Sequence, residues 1–206
     1  MNPNHPQARA KLNEAYRRLE AEPTATPMYQ QETKEAILAA MQEAHQKGNW
    51  QEVIAQADRL LALDASFRRE EVDLLLYDAF YQKGLALVEQ GRLADALSYF
   101  DRALALQPTN AQAIEAKELA VLYLEGTSAW GTDWERAVER LSQLYLRDPT
   151  YNDVRAKLWQ AYVVYGDALA EKGEWCRARE MYRAALELES TPALVEKAQK
   201  ALQSCP

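Results

Sequence analysis

Residues 80–108 read FYQKGLALVEQGRLADALSYFDRALALQP, and the fold turns on how this stretch is parsed. Phe80, Gly84 and Leu87 stand four and three residues apart, and Leu93, Ala96, Phe100 and Ala103 stand three, four and three apart. Both sets follow the 3.6-residue period that lines up one face of an α-helix. Gly91 falls between them, where a chain reversing direction needs a residue tolerant of positive φ. Pro108 ends the second run, because a proline cannot continue a helix. The stretch therefore reads as two helices closed into a hairpin.

The same pattern recurs along the chain. Trp50-Gln-Glu-Val53, Leu93-Ala-Asp-Ala96, Trp134-Glu-Arg-Ala137 and Trp175-Cys-Arg-Ala178 align at intervals of 43, 41 and 41 residues. Each opens a second apolar helical run that ends in a terminator: LLALDAS, ALALQPTN, LYLRDPTY or LELESTP. Gly48, Gly91 and Gly173 precede three of these openings, and Gly131-Thr-Asp133 stands before the third. Gly84, Gly126 and Gly166 lie inside first helices, where glycine costs about 1 kcal/mol relative to alanine and needs a packing reason. Close contact with the small residues Ala96, Ala137 and Ala178 across the hairpin is the expected reason. Trp50, Trp134 and Trp175 read as wedges at the start of the second helices.

These residues resemble the tetratricopeptide repeat. Unit two carries Phe80, Gly84, Leu87, Gly91, Ala96, Phe100, Ala103 and Pro108 at that family's positions. Unit four carries Tyr162, Gly166, Leu169, Gly173, Ala178, Tyr182 and Ala185, with Ser190 where proline is usual. Unit one departs with Met41 and Val53 at small-residue positions, and unit three is one residue shorter between Gly126 and Trp134. The family's period is about 34 residues. Here the excess falls in segments 68–76, 111–117 and 152–158, which lengthen the first helices by roughly two turns. The expected fold is an all-α, right-handed α-solenoid of antiparallel helix hairpins.

The expected organisation has four hairpins over 31–192, at about 31–67, 68–110, 111–151 and 152–192. A capping helix over 193–206 places Leu194, Ala198, Ala201 and Leu202 on one face to cover the last unit. Residues 1–30 read as an N-terminal helix over 6–20 and a Pro/Thr linker, Ala21-Glu-Pro-Thr-Ala-Thr-Pro27. Within that helix Arg9-Ala-Lys-Leu12 echoes Arg155-Ala-Lys-Leu158.

Composition narrows the function. The 206 residues are 48% apolar, with only 7 glycines and 8 prolines, which suits a packed helical protein. Net charge is −7, from 24 basic and 31 acidic residues that are interspersed, so the basic face that nucleic acid requires is missing. No apolar run approaches the roughly 18 residues that span a bilayer. Residues 1–6 lack the basic and apolar regions of a signal peptide. No Gly-rich phosphate loop, H-E-x-x-H, G-x-S-x-G or paired C-x-x-C occurs, and His45 has no obvious acid or nucleophile beside it. Neither enzymatic activity, a cofactor nor a metal is expected.

Cys176 opens the second helix of unit four, and Cys205 closes the cap. Those helices should be antiparallel neighbours, which could bring the pair within the Cα separation of roughly 4.4–6.8 Å that a disulfide needs. A bridge would indicate an oxidising, extracytoplasmic compartment. Two free thiols would suit the cytoplasm.

The resemblance implies a partner groove lined by first helices. Its positions fall on Glu35, Leu38, Gln42 and His45; Asp78, Tyr81, Leu85 and Val88; Ala120, Tyr123, Thr127 and Trp130; and Gln160, Val163, Asp167 and Ala170. None of these is the Lys, Arg or Asn with which some family members clamp a terminal carboxylate. The expected patch is Tyr81, Leu85, Val88, Tyr123, Trp130 and Val163, edged by Asp78 and Asp167. It suits a helix or peptide with apolar anchors and some positive charge. A protein-interaction scaffold is the leading expectation, alone or as a module of a larger protein. Self-assembly is the first alternative. A sensor or regulatory module is the second, since helical repeats of about 40 residues occur beside bacterial regulators and transpeptidase-like enzymes.

Overall fold

The computed structural model describes residues 27–205, all helices and turns, so the expected helix over 6–20 lies outside the described residues. Nine helices follow one another among them: α1 Pro27–Gln46, α2 Trp50–Leu63, α3 Arg69–Glu89, α4 Leu93–Leu106, α5 Ala111–Ser128, α6 Trp134–Arg147, α7 Val154–Glu171, α8 Trp175–Leu188 and α9 Pro192–Ser204. The chain divides into two compact units, Met1–Leu76 and Tyr77–Pro206, with the division inside α3. The helices pack consecutively as an α-solenoid of hairpins: α1 on α2 in the first unit, and α5 through α9 each on its predecessor in the second.

Helix lengths separate by position. The second helices α2, α4, α6 and α8 each have 14 residues. The first helices α1, α3, α5 and α7 have 20, 21, 18 and 18. The excess period is therefore carried by the first helices. One boundary shifts: α1 begins at Pro27, inside the stretch read as linker, because proline with its fixed φ fits the first turn of a helix.

Three hairpin turns close identically. Gly48, Gly91 and Gly173 adopt φ of 66°, 72° and 78°. The amides that follow them reach back to Ala44, Leu87 and Leu169 carbonyls at 2.9, 2.8 and 2.9 Å, satisfying groups the helix end leaves open. The third turn differs: Gly131 has φ 78°, and the Asp133 amide bonds to the Ala129 carbonyl. Asp133 then caps α6 by accepting from the Arg136 amide at 3.0 Å.

The mid-helix glycines have a different reason from the one expected. A Cβ on Gly84 would lie 2.4 Å from the Phe100 ring, one on Gly166 2.6 Å from the Tyr182 ring, and one on Gly126 2.8 Å from Leu141 Cγ. Each glycine thus faces a large side chain, one turn beyond the alanine, and the missing side chain is the space that the large one fills. Phe100 and Leu141 are fully buried, and Tyr182 nearly so.

The two cysteines meet at the C-terminal end. Cys176 and Cys205 are joined with Cα atoms 4.8 Å apart, the start of α8 lying against the end of α9. Thr191 accepts from the Leu194 amide at 3.3 Å and caps α9, whose Leu194 and Ala201 are buried. Leu202 does not join them: it is 59% exposed, so the inward face of α9 is narrower than its apolar pattern.

Candidate protein-binding groove

Tyr81, Leu85 and Val88 stand four and three residues apart, which places them along one face of α3. They form one wall of a cleft of about 520 Å³. Phe100 of α4 reaches it from below, and Ala111, Glu115, Ala116 and Leu119 of α5 form the opposite wall. Asp148 and Tyr151, from the loop joining α6 to α7, close one end. The cleft thus lies between the first helices of successive hairpins.

Aromatic packing holds the wall rigid. The Tyr81 ring stacks on Tyr77 at 6.1 Å and leans on Phe100 at 6.2 Å, spacings at which ring pairs attract beyond their area. Tyr77 is buried, and desolvation, then Tyr81 and Asp78, pushes its hydroxyl up from the usual tyrosine range. At the far end Tyr151 packs 5.9 Å from Tyr123. Burial, with a smaller contribution from Asp148, pushes the Tyr151 hydroxyl up to about 12. That hydroxyl is buried and has no hydrogen-bond partner among the described residues.

Acidic groups edge the cleft, and some are already engaged. Asp148 Oδ1 accepts from the Thr150 amide and hydroxyl at 2.9 and 2.7 Å. Glu115 and Glu118 both receive the Arg147 guanidinium, and these carboxylates hold Arg147 above its ordinary range.

The eight residues expected to form one patch are dispersed. Tyr81, Leu85 and Val88 share the cleft, and Tyr123 borders it through Tyr151. Tyr123 itself donates to Asp153 Oδ1 at 2.5 Å, and burial followed by Asp153 pushes its hydroxyl up. Trp130 packs edge-on to Trp134 at 5.1 Å and lies under Lys157 Nζ at 5.5 Å, within the α5–α7 core. Val163 packs with the last core cluster, beside Leu169 and Tyr182. Asp167 accepts from the Tyr182 hydroxyl at 2.8 Å and from Lys197 at 2.6 Å, which ties α9 to α7. Asp78 is half-buried at the head of α3's second half. Of the other groove positions, Leu38 and Ala120 are buried in the core. The tryptophans at the second-helix starts pack at the turns, with Trp50 edge-on to His45 at 5.4 Å.

Tyr151, Phe100, Glu115 and Leu119 were not expected at a groove. One signal for Tyr151 lies in the sequence: Asp148-Pro-Thr-Tyr-Asn152 repeats the chemistry of Asp64-Ala-Ser-Phe-Arg68. In both loops the aspartate accepts from the amide and hydroxyl two residues on, and Arg68 and Asn152 have φ of 43° and 46°. Both loops thus project an aromatic by the same geometry.

Among the described residues no group of three or more His, Cys, Asp or Glu could hold a metal, and no helix is long and apolar enough to cross a membrane. A family model for the tetratricopeptide repeat matches residues 77–110. No curated protein gives a significant match to the chain. The matched hairpin and the consecutive helices fit a tetratricopeptide-type helical repeat, a general protein–protein interaction module found mostly in non-enzymatic scaffolds.

Proposed function

We propose that this tetratricopeptide-type array is a non-enzymatic scaffold that holds a partner segment in the cleft between α3 and α5. The observation that carries the reading is an open apolar cleft walled by Tyr81, Leu85 and Val88 on the face of the first helices. Rigid aromatic walls favour binding, because little side-chain freedom is lost when a ligand is seated. A helix or peptide with one large apolar anchor fits between Leu85 and Leu119. A Lys or Arg beside that anchor suits Glu115 and Asp148, and a polar group of the ligand can satisfy the Tyr151 hydroxyl.

The test is selection of peptides from a random library on the full chain, followed by titration of the best binders. Selected sequences should pair a large apolar residue with Lys or Arg. Leu85→Glu should weaken them roughly tenfold or more while leaving the helical circular dichroism unchanged. Binders insensitive to Leu85→Glu would place recognition elsewhere and sink the proposal.

A further inference from the structure

The outer face of the last two helices carries a second groove of about 460 Å³, with Leu186, Val195, Ala198 and Leu202 as its floor and Arg179 and Arg183 along one edge. Its register has an interior counterpart. Leu186 stands eleven residues after Trp175, as Leu104 stands after Leu93. Val195, Ala198 and Leu202 stand three, six and ten residues after Pro192, as Ile114, Lys117 and Val121 stand after Ala111. Leu104, Ile114, Lys117 and Val121 line the equivalent strip on α4 and α5, and there α6 lies alongside and contributes Arg140 and Arg147. Arg147 reaches Glu115 and Glu118, and Arg140 reaches Glu125 at 2.9 Å. In the interior, then, this strip is flanked by an amphipathic helix held through charge pairs. Along α8 and α9 no described helix occupies that place, and Leu202 is 59% exposed.

Charge distinguishes the two strips. Asp101 pairs with Lys117 at 2.6 Å across the interior seam. At the end, Arg183 stands in the position of Asp101 and Ala198 in that of Lys117, so the sign is reversed and the local partner is gone. Among the described arginines, only Arg179 and Arg183 make no hydrogen bond, ion pair or ring contact. Both line this groove, one helical turn apart.

We propose that the α8–α9 groove receives an acidic amphipathic helix of a partner protein, in the place that α6 takes beside α5 but with the charges reversed. Apolar residues of the partner at helical spacing cover Leu186, Val195, Ala198 and Leu202. Two carboxylates one turn apart meet Arg179 and Arg183, which present forked donors suited to them. The groove is held in shape beforehand, because the Cys176–Cys205 bond and the Lys197–Asp167 pair fix α9. This site is independent of the cleft at Tyr81 and Leu85.

The probe is a fluorescein-labelled, stapled peptide of the α6 sequence Trp134–Arg147 carrying Arg136→Glu, Arg140→Glu and Arg147→Glu, titrated by anisotropy against the full chain. Binding should weaken with salt. It should fall roughly tenfold or more with Arg179→Glu plus Arg183→Glu, and likewise with Leu202→Asp. Leu85→Glu should leave it unchanged, which separates this result from the fate of the concave cleft. The stapled peptide with its native arginines should bind at least roughly tenfold more weakly. No binding of the acidic peptide, equal binding of both peptides, or indifference to the arginine pair would overturn the proposal. Self-association in sedimentation velocity that Leu202→Asp abolishes would also overturn it, by assigning the groove to a second copy.

Discussion

The first and last hairpins solve one packing problem in opposite ways. Nine residues before Trp175 stands Gly166, and seven residues after it stands Tyr182, whose ring fills the space that the glycine leaves. At the same two positions around Trp50 stand Met41 and Ala57, both fully buried. The large residue has moved from the second helix to the first. A close-packed hairpin constrains the summed volume at the seam and leaves open which helix supplies it. The polar reinforcement differs too. The last hairpin is tied to its cap by Cys176–Cys205 and by Asp167, which binds both Tyr182 and Lys197. The first has the Lys34–Asp64 pair at 2.9 Å.

The largest expected effect breaks that equivalence directly. Tyr182→Ala should destabilise the last hairpin by about 3–5 kcal/mol, the usual cost of emptying a buried aromatic site. Gly166→Met alone should also destabilise, since its Cβ would meet the Tyr182 ring at 2.6 Å. The two together copy the Met41 and Ala57 arrangement, and should recover about half of the Tyr182→Ala loss in urea unfolding. Losses that simply add would show that the two hairpins do not share one packing rule.

A smaller effect isolates the staple. Reducing the Cys176–Cys205 bond, which spans 29 residues, should lower stability by about 3 kcal/mol. Because repeat stability is largely nearest-neighbour, amide exchange should accelerate in α8 and α9 and stay unchanged in α1 and α2. Equal acceleration at both ends would mean that the hairpins unfold as one unit.

The smallest effect sharpens the contrast through pH. Lys34, then Ser66, holds the Asp64 carboxyl well below the usual range. A lowered folded pKa gives stability that is present above the unfolded value of about 3.9 and is lost as pH falls toward the folded one. Burial, then Asp167, pushes the Tyr182 hydroxyl up. That contribution is present below the unfolded value of about 10 and is lost as pH rises through the folded one. Lys34→Met should therefore flatten only the acid limb of the stability profile, and Tyr182→Phe only the alkaline limb. A Lys34→Met change in the alkaline limb would refute the assignment.

Much of this fold was legible in residues 50–67, 93–110, 134–151 and 175–192. The openings at Trp50, Leu93, Trp134 and Trp175, the glycine turns and the terminators all act within a few residues, so local rules reach them. The groove was only partly legible. Tyr81, Leu85 and Val88 share a helix face, and spacing alone brought them together. Tyr151 joins them because a loop beyond α6 returns to the cleft, a closure that no local pattern encodes. Asp167 read as a free acidic edge; Lys197, 30 residues on, engages it instead.

By itself, then, the sequence determined the helix hairpins, their number over 31–192, the long first helices and the positions that must be small, large or turning. These depend on periodicity, capping and backbone freedom, which act over one or two helical turns. Only the tertiary structure decided that glycines face rings rather than alanines, that Trp130 and Asp167 serve packing, and that Leu202 faces outward beside two unpaired arginines. Those outcomes depend on which helix lies opposite, and a helix's own pattern shows an apolar face without showing what covers it.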